Sequence, residues 1–452
     1  MAARGNSAYP FVPKSNAKLW PGQFWAIPLS DGRFACGRVL AIDVDKTYGA
    51  RSSFVAGLLD WVGPEPPTAQ NIAGAPLLEI GNAHVKVIEQ NGGAVLGERP
   101  LEADGIALPA KVTNYWGIGY PLGRAERRFV EGEPLPQWGR REVKSPLTDE
   151  MLKPFAEPSG VVQFSSRLTD EDFGRLADWF REYPNVGLRA YGSYDGSITD
   201  LEFLRFFPFV RSFSADALYH SSGTLDGLRH LPEDLEGLTI GSTKRKLDLA
   251  ILRRFHNLKR LYLEGQTKGI HVLSNLSSLE ELTLRSITLP DLSVLVPLVN
   301  LLALDIKLGG TKALGLLPRI GKLRYLELWM IRGFTDLTPV GQLPHLRYLF
   351  LESLRRAEAL PDLSADLELR RVHLQTMRGL KDLRPLTTAP RLEELLLIDM
   401  GHLRLEDLRP LARMPQLKAA TFALGSLRKN EAAEALLGLK PAEGFKSDWR
   451  EI

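Results

Sequence analysis

The chain has 452 residues, 44% of them hydrophobic and 25% charged, with a net charge of only +3. That balance is typical of an ordinary folded protein of two or three domains, and it creates no general attraction for nucleic acid. A single cysteine, Cys36, excludes an intramolecular disulfide and fits a reducing compartment. The opening MAARGNSAYPFVPK lacks the apolar core of a signal peptide, and no run of about 18 apolar residues suits a membrane span. The expected location is therefore cytoplasmic, with no membrane partner.

Residues 1–125 are rich in glycine, proline and tryptophan and show no long period. Residues 22–45 read as a β-hairpin. Phe24, Ala26 and Pro28 alternate with Gln23, Trp25 and Ile27, and Ser30-Asp31-Gly32 supplies the turn. The segments 54–62, 76–80 and 83–90 read as further strands, which predicts a small bent sheet or partly open barrel. The string GQFWAIPLSDGRFACGRVL resembles the opening of the immunity protein 26 family of bacterial polymorphic toxin systems. The agreement rests on Gly22, Ala26, Ile27, Pro28, Leu29, Asp31, Gly32, Ala35, Gly37, Arg38 and Val39. Gln23 and Phe34 depart from the residues common there. The resemblance implies a module that neutralises a toxin by binding it, without catalysis.

Residues 126–157 are rich in charge, proline and glycine and read as a linker, pinned by Trp138 to one of its neighbours. Residues 158–185 form a predicted cap, with a first strand at 161–164. Its amphipathic helix starts at a capping-box-like pair, Thr169 and Asp172, and buries Phe173, Leu176, Trp179 and Phe180.

From 186 to 429 the chain repeats. The frame L-x-x-L-x-L opens at Leu235, Leu258, Leu279, Leu301, Leu323, Leu346, Leu369, Leu392 and Leu417, with spacings of 21 to 25 residues. Weaker copies open at Val186 and Val210. Such a period marks a solenoid whose units bury their apolar faces against one another. Each copy begins with an alternating strand. An apolar turn residue follows (Ile287, Ile331, Leu354, Met377 or Met400), and then an Asp-Leu step at 291, 336, 382 or 407. Aspartate there accepts N–H bonds of a short helical turn, and Pro339, Pro385 and Pro410 fit its first positions. This pattern resembles the leucine-rich repeat family in a short bacterial form. The family's turn asparagine is missing, so the turn carbonyls need other donors. Residues 430–452 form the predicted C-terminal cap and tail.

The expected fold is α+β and multidomain: a small N-terminal β domain, then a capped solenoid. Its parallel strands line a concave face, and short helical or irregular segments form the convex side. Alternation along the strands defines three outward columns. From Leu323 onward they turn aromatic or apolar, with Tyr325, Trp329, Tyr348, Phe350, His373, Leu396 and Ile398 predicted as an exposed patch that binds a protein partner. Neither a catalytic constellation nor a metal-ligand spacing stands out, and no cofactor motif is present. The basic runs Lys244-Arg245-Lys246 and Arg253-Arg254 read as solvated faces. The favoured function is non-enzymatic binding of a protein, a cognate toxin if the N-terminal resemblance holds. One alternative is an interaction scaffold without a toxin partner. Another is an enzyme hidden in the N-terminal domain, which would need Asp31, Arg38 and His84 to converge on a pocket.

Overall fold

The computed structural model describes residues 8–42, 51–90, 94–106, 115–130, 140–153, 160–193, 195–216, 223–311, 313–331, 334–442 and 450. They fall into two compact units, 1–137 and 138–452.

The first unit is a six-stranded sheet. Its strands are β1 (Gln23–Pro28), β2 (Phe34–Ala41), β3 (Ser53–Gly63), β4 (Leu77–His84), β5 (Val95–Glu98) and β6 (Tyr115–Trp116). Their order is β5-β1-β2-β3-β4-β6, antiparallel except for β4 beside β6. The predicted hairpin is β1–β2, with Ala26 opposite Cys36 and Gly32 at φ +86° in the turn. The segment expected as a strand over 83–90 differs. The strand stops at His84 and Lys86–Gln90 is helical, so Val87 and Ile88 enter the core from a helix. Both faces of the sheet are covered. Trp25, Ile27, Val39 and Phe54 pack on one side, and Phe24, Cys36, Leu59 and Ile72 on the other.

The segment expected as a linker is divided between the units. Glu126 accepts bonds from the Ser30 amide and hydroxyl at 2.7 and 2.9 Å, and Arg128 pairs with Asp60 at 3.2 Å, all within the first unit. Arg140–Glu142 is instead the edge strand of the solenoid sheet, and Val143 and Leu147 enter the solenoid core. Trp138 lies outside the described residues.

Among the described residues, the main sheet of the second unit has thirteen parallel strands in chain order, from Arg140–Glu142 to Ala419–Phe422. The weak copies are real strands, Gly187–Tyr191 and Ser212–Asp216. Inward residues stack in two files. One runs Leu261, Leu282, Leu304, Leu326, Leu349, Val372, Leu395; the other Leu263, Leu284, Ile306, Leu328, Leu351, Leu374, Leu397. All are at most 3% exposed, so each repeat completes the core of the next. Short 3-10 helices return the chain on the other side. Asp291, Asp336 and Asp382 accept the amides of Ser293, Thr338 and Arg384 at 2.8–2.9 Å. Asp407 departs from this pattern: it sits inside Leu405–Leu408 and accepts the Arg404 amide at 2.8 Å.

The missing asparagine ladder has a backbone replacement. Gly265, Ser286, Leu308, Met330, Ser353 and Thr376 all take positive φ just after their strands. Their amides reach the last strand carbonyl of the following repeat, on Arg285, Lys307, Trp329, Glu352, Gln375 and Ile398, at 2.7–3.0 Å. This left-handed turn aims each N–H along the stack and leaves the apolar turn residue buried behind it. Gln266 keeps an amide rung, accepting from the Leu247 amide at 2.9 Å and donating to the Gly241 carbonyl at 3.1 Å.

The cap helix spans Asp170–Glu182, and its predicted stripe is buried. Its capping box is half formed. Thr169 accepts the Asp172 amide at 3.1 Å, but Asp172 turns to the Leu147 amide at 3.0 Å. At the other end, a helix over Leu427–Leu437 begins three residues before the predicted cap at 430.

Candidate functional site on the outward strand face

The inter-strand register reproduces the three outward columns row by row. Tyr325 lies beside Tyr348, Glu327 beside Phe350, and Trp329 beside Glu352. Phe350 neighbours His373, His373 neighbours Leu396, and Gln375 neighbours Ile398. All seven predicted site residues therefore share one sheet face.

Their exposure corrects the expectation. Tyr325, Tyr348, Phe350, His373 and Leu396 are only 0–7% exposed, and only Trp329 and Ile398 are partly open. Alternation decides the side of the sheet, while the packing of long side chains across rows about 4.8 Å apart decides how much of each reaches solvent. Tyr325 and Tyr348 meet edge to face at 5.1 Å, and the Arg371 guanidinium lies 5.3 Å from the Tyr348 ring centre. The imidazole of His373 stacks flat on Phe350 at 4.2 Å, and Arg285 covers the Trp329 ring at 5.5 Å. Leu396 and Ala419 pack with Ala442, which belongs to the segment following the terminal helix.

Charges are interleaved with the rings. The Lys307 ammonium bridges Glu327 at 2.7 Å and Asp305 at 3.5 Å, and the Tyr325 hydroxyl donates to Glu327 at 2.9 Å. Arg371, fully buried, contacts the Glu394 carboxylate. These partners shape proton affinities. Burial pushes the Asp305 carboxyl up to about 6, against the pull of Lys307. Burial also pushes the His373 imidazole down to about 4, helped by Arg371. Neither ring nitrogen of His373 reaches hydrogen-bond geometry, although nearby Gln375 weakly favours its charged form. The face is thus a mixed surface of rings, a neutral imidazole and paired charges. The acids Asp305, Glu327 and Glu352 were readable in the columns; their signal was a carboxylate recurring between aromatic rows.

The residues considered for N-terminal chemistry do not converge. Asp31 pairs with Arg33 at 2.6 Å in an exposed turn, and His84 accepts the Lys86 amide at 3.1 Å. Arg38 is fully buried, 2.6 Å from Asp104, which also holds Arg99 at 2.8 Å. Cys36 is buried, and burial raises its thiol far above the ordinary range. Among the described residues, no group of three His, Cys, Asp or Glu side chains could hold a metal ion, and no helix is long and apolar enough to cross a membrane. Lys246 reaches the Gly265 carbonyl, and Arg254 lies 3.7 Å from Glu233, so these basic runs engage the solenoid itself.

No protein-family model and no curated protein matches this chain. Among solved structures, an internalin from Listeria monocytogenes is similar at 19% identity with a TM-score of 0.41, over 59% of this chain and 74% of that one. Internalin C2 from the same organism is similar at 22% identity with a TM-score of 0.32, over 49% of this chain and 84% of that one.

Proposed function

We propose that this chain is a non-enzymatic binding protein whose partner is another protein, held on the outward strand face of the solenoid, and that the partner is a toxin neutralised by steric occlusion. The observation that carries the binding reading is the in-register run of rings and paired charges from Tyr325 to Ile398 on one rigid sheet face. Tyr, Trp and Arg on a preorganised scaffold are the side chains that concentrate interface energy. The toxin reading adds the N-terminal phrase from Gly22 to Val39, which resembles the immunity protein 26 family.

One observation favours a second reading, an interaction scaffold with no toxin. The phrase's most distinctive residues have internal duties. A Cβ on Gly37 would stand 2.2 Å from the Trp25 ring, and Arg38 is consumed by Asp104. The phrase therefore specifies packing, and its presence alone does not require a toxin.

The test is to co-express the chain with the product of the gene beside its own and to titrate the purified pair calorimetrically. Protection of growth together with a stable complex is expected. Trp329→Ala combined with Ile398→Ala, both at partly open positions, should leave the fold intact and weaken binding at least about tenfold, near 1.4 kcal/mol. A toxin that neither binds nor is neutralised leaves the scaffold reading. Binding unchanged by the double variant removes this face from the mechanism.

A further inference from the structure

Positive charge is spread unevenly over the solenoid. The whole chain carries a net charge of only +3. The segments 378–391 and 404–416 together hold seven Arg or Lys against three Asp or Glu, a larger excess than that of the entire chain. They are the return segments of two neighbouring repeats on the convex side, after the strands Arg371–Gln375 and Glu394–Ile398. An open groove of about 600 Å³ lies against them, lined by Arg384, Arg409 and Arg413.

The repeat places these arginines together. Arg384 and Arg409 each stand eight residues before a frame leucine, Leu392 and Leu417, so they hold equivalent positions in adjacent repeats. Arg409 and Pro410 keep right-handed helical backbone between Leu405–Leu408 and Leu411–Arg413. Arg413 therefore follows Arg409 by about one helical turn, on the same side. Arg384 is fixed by Asp382 through bonds at 2.9 and 2.7 Å. Arg409 and Arg413 are exposed, and among the described residues neither makes an ion pair. Like charges at this spacing repel, and an anion between them relieves that repulsion. Glu406 is the one carboxylate among the described lining residues, and it pairs with none of the three.

The groove is also firm and partly apolar. Gln416 donates to the Ala389 carbonyl at 3.0 Å, which ties the two repeats together, and the Thr387 hydroxyl donates to the Arg384 carbonyl at 2.7 Å. Pro410, Pro415 and the largely buried Met414 give it apolar wall. Such a trough is far larger than a single inorganic anion needs, and its fixed loops lower the ordering cost of binding. Planar guanidiniums match carboxylates in bidentate geometry.

We propose that this convex groove is a second docking site, for an extended segment of a protein partner in which acidic and small apolar side chains alternate. Arg409 and Arg413 are its anchors, and Arg384 is a pre-positioned third contact. The site lies on the opposite side of the sheet from the outward face and does not rest on that face's role.

The experiment is a fluorescence titration of the full-length chain with a labelled peptide of alternating glutamate and alanine. The peptide should bind, more weakly as salt rises, and the analogue with glutamine in place of glutamate should not. Arg409→Gln with Arg413→Gln should weaken binding at least about tenfold. Two controls should leave it unchanged: Lys244→Gln with Arg245→Gln, an exposed basic run elsewhere on the solenoid, and Trp329→Ala with Ile398→Ala on the outward face. If thermal unfolding shows that the arginine double variant has lost its fold, Arg409→Gln and Arg413→Gln singly decide, each expected to weaken binding at least about threefold. No binding to the wild-type chain, or an equal loss in either control, overturns the proposal. Tighter binding of a single-stranded oligonucleotide of equal charge, lost in the same arginine variants, also overturns it, since the groove would then read phosphates. Because the probe is a synthetic peptide, failure of the toxin complex leaves this test untouched.

Discussion

The two units of this molecule solve the same problem by opposite means. In the solenoid each strand repeats its neighbour's duties, so Leu304, Leu326 and Leu349 occupy equivalent places in one file. In the N-terminal sheet almost every duty is held once. Arg38 meets Asp104, 66 residues away, and Trp25 lies across the bare Cα of Gly37. A repeat array spreads stability over nearest-neighbour interfaces, whereas a singular sheet concentrates it in contacts that nothing duplicates.

The sharpest way to break this contrast is Arg38→Ala. It leaves the buried Asp104 carboxylate with Arg99 and the Gly74 amide as its remaining partners, and should cost about 3 kcal/mol. Calorimetry should show the transition of the first unit lowered or lost while the solenoid transition stays in place. A joint downward shift of both transitions would show that the units are not energetically separate.

A smaller effect tests the solenoid from its convex side. Asp366 is fully buried; one carboxylate oxygen accepts the Leu343 amide at 2.8 Å and the other has no hydrogen bond. Burial pushes its carboxyl up to about 7. The folded state therefore holds this proton more tightly than the unfolded chain does. The associated stability is complete below about pH 4 and is lost as pH rises through about 7. Asp366→Asn keeps the acceptor and removes the charge, so it should add about 2 kcal/mol at pH 8 and almost nothing at pH 4. Denaturant midpoints at the two values check this, and a pH-independent gain would place the cause elsewhere.

The smallest expected effect lies on the outward face. The folded His373 imidazole is held down to about 4, so its stability is complete above pH 6.5 and is lost as pH falls from there toward 4. His373→Phe continues the stack on Phe350 and should flatten that acid slope, gaining about 1 kcal/mol at pH 5 relative to pH 7. An unchanged slope would mean that the imidazole is solvated in solution.

Much of this architecture is legible in the residues alone. The leucine period locates the strands from Leu235 onward, and alternation places Tyr325, Tyr348 and Phe350 together on one face. The Asp-Leu step marks the 3-10 turns. Two segments depart from their local pattern, each for a physical reason. Residues 83–90 alternate like a strand, but Val85, Val87 and Ile88 are also spaced to suit a helical turn, and tertiary packing chose the helix after His84. Residues 126–157 are polar and proline-rich like a linker, yet they supply an edge strand and two core residues, because a solenoid's open edge takes whatever strand is nearest in the chain.

The sequence by itself determined the period, the register and the side of the sheet on which each residue lies, because these follow from local geometry repeated at constant spacing. Only the tertiary structure decided which outward residues reach solvent, that Arg38 is spent on Asp104, and that Arg450 meets Glu281 across 169 residues. Burial and ion pairing depend on groups far apart in the chain, and no local pattern of residues records those meetings.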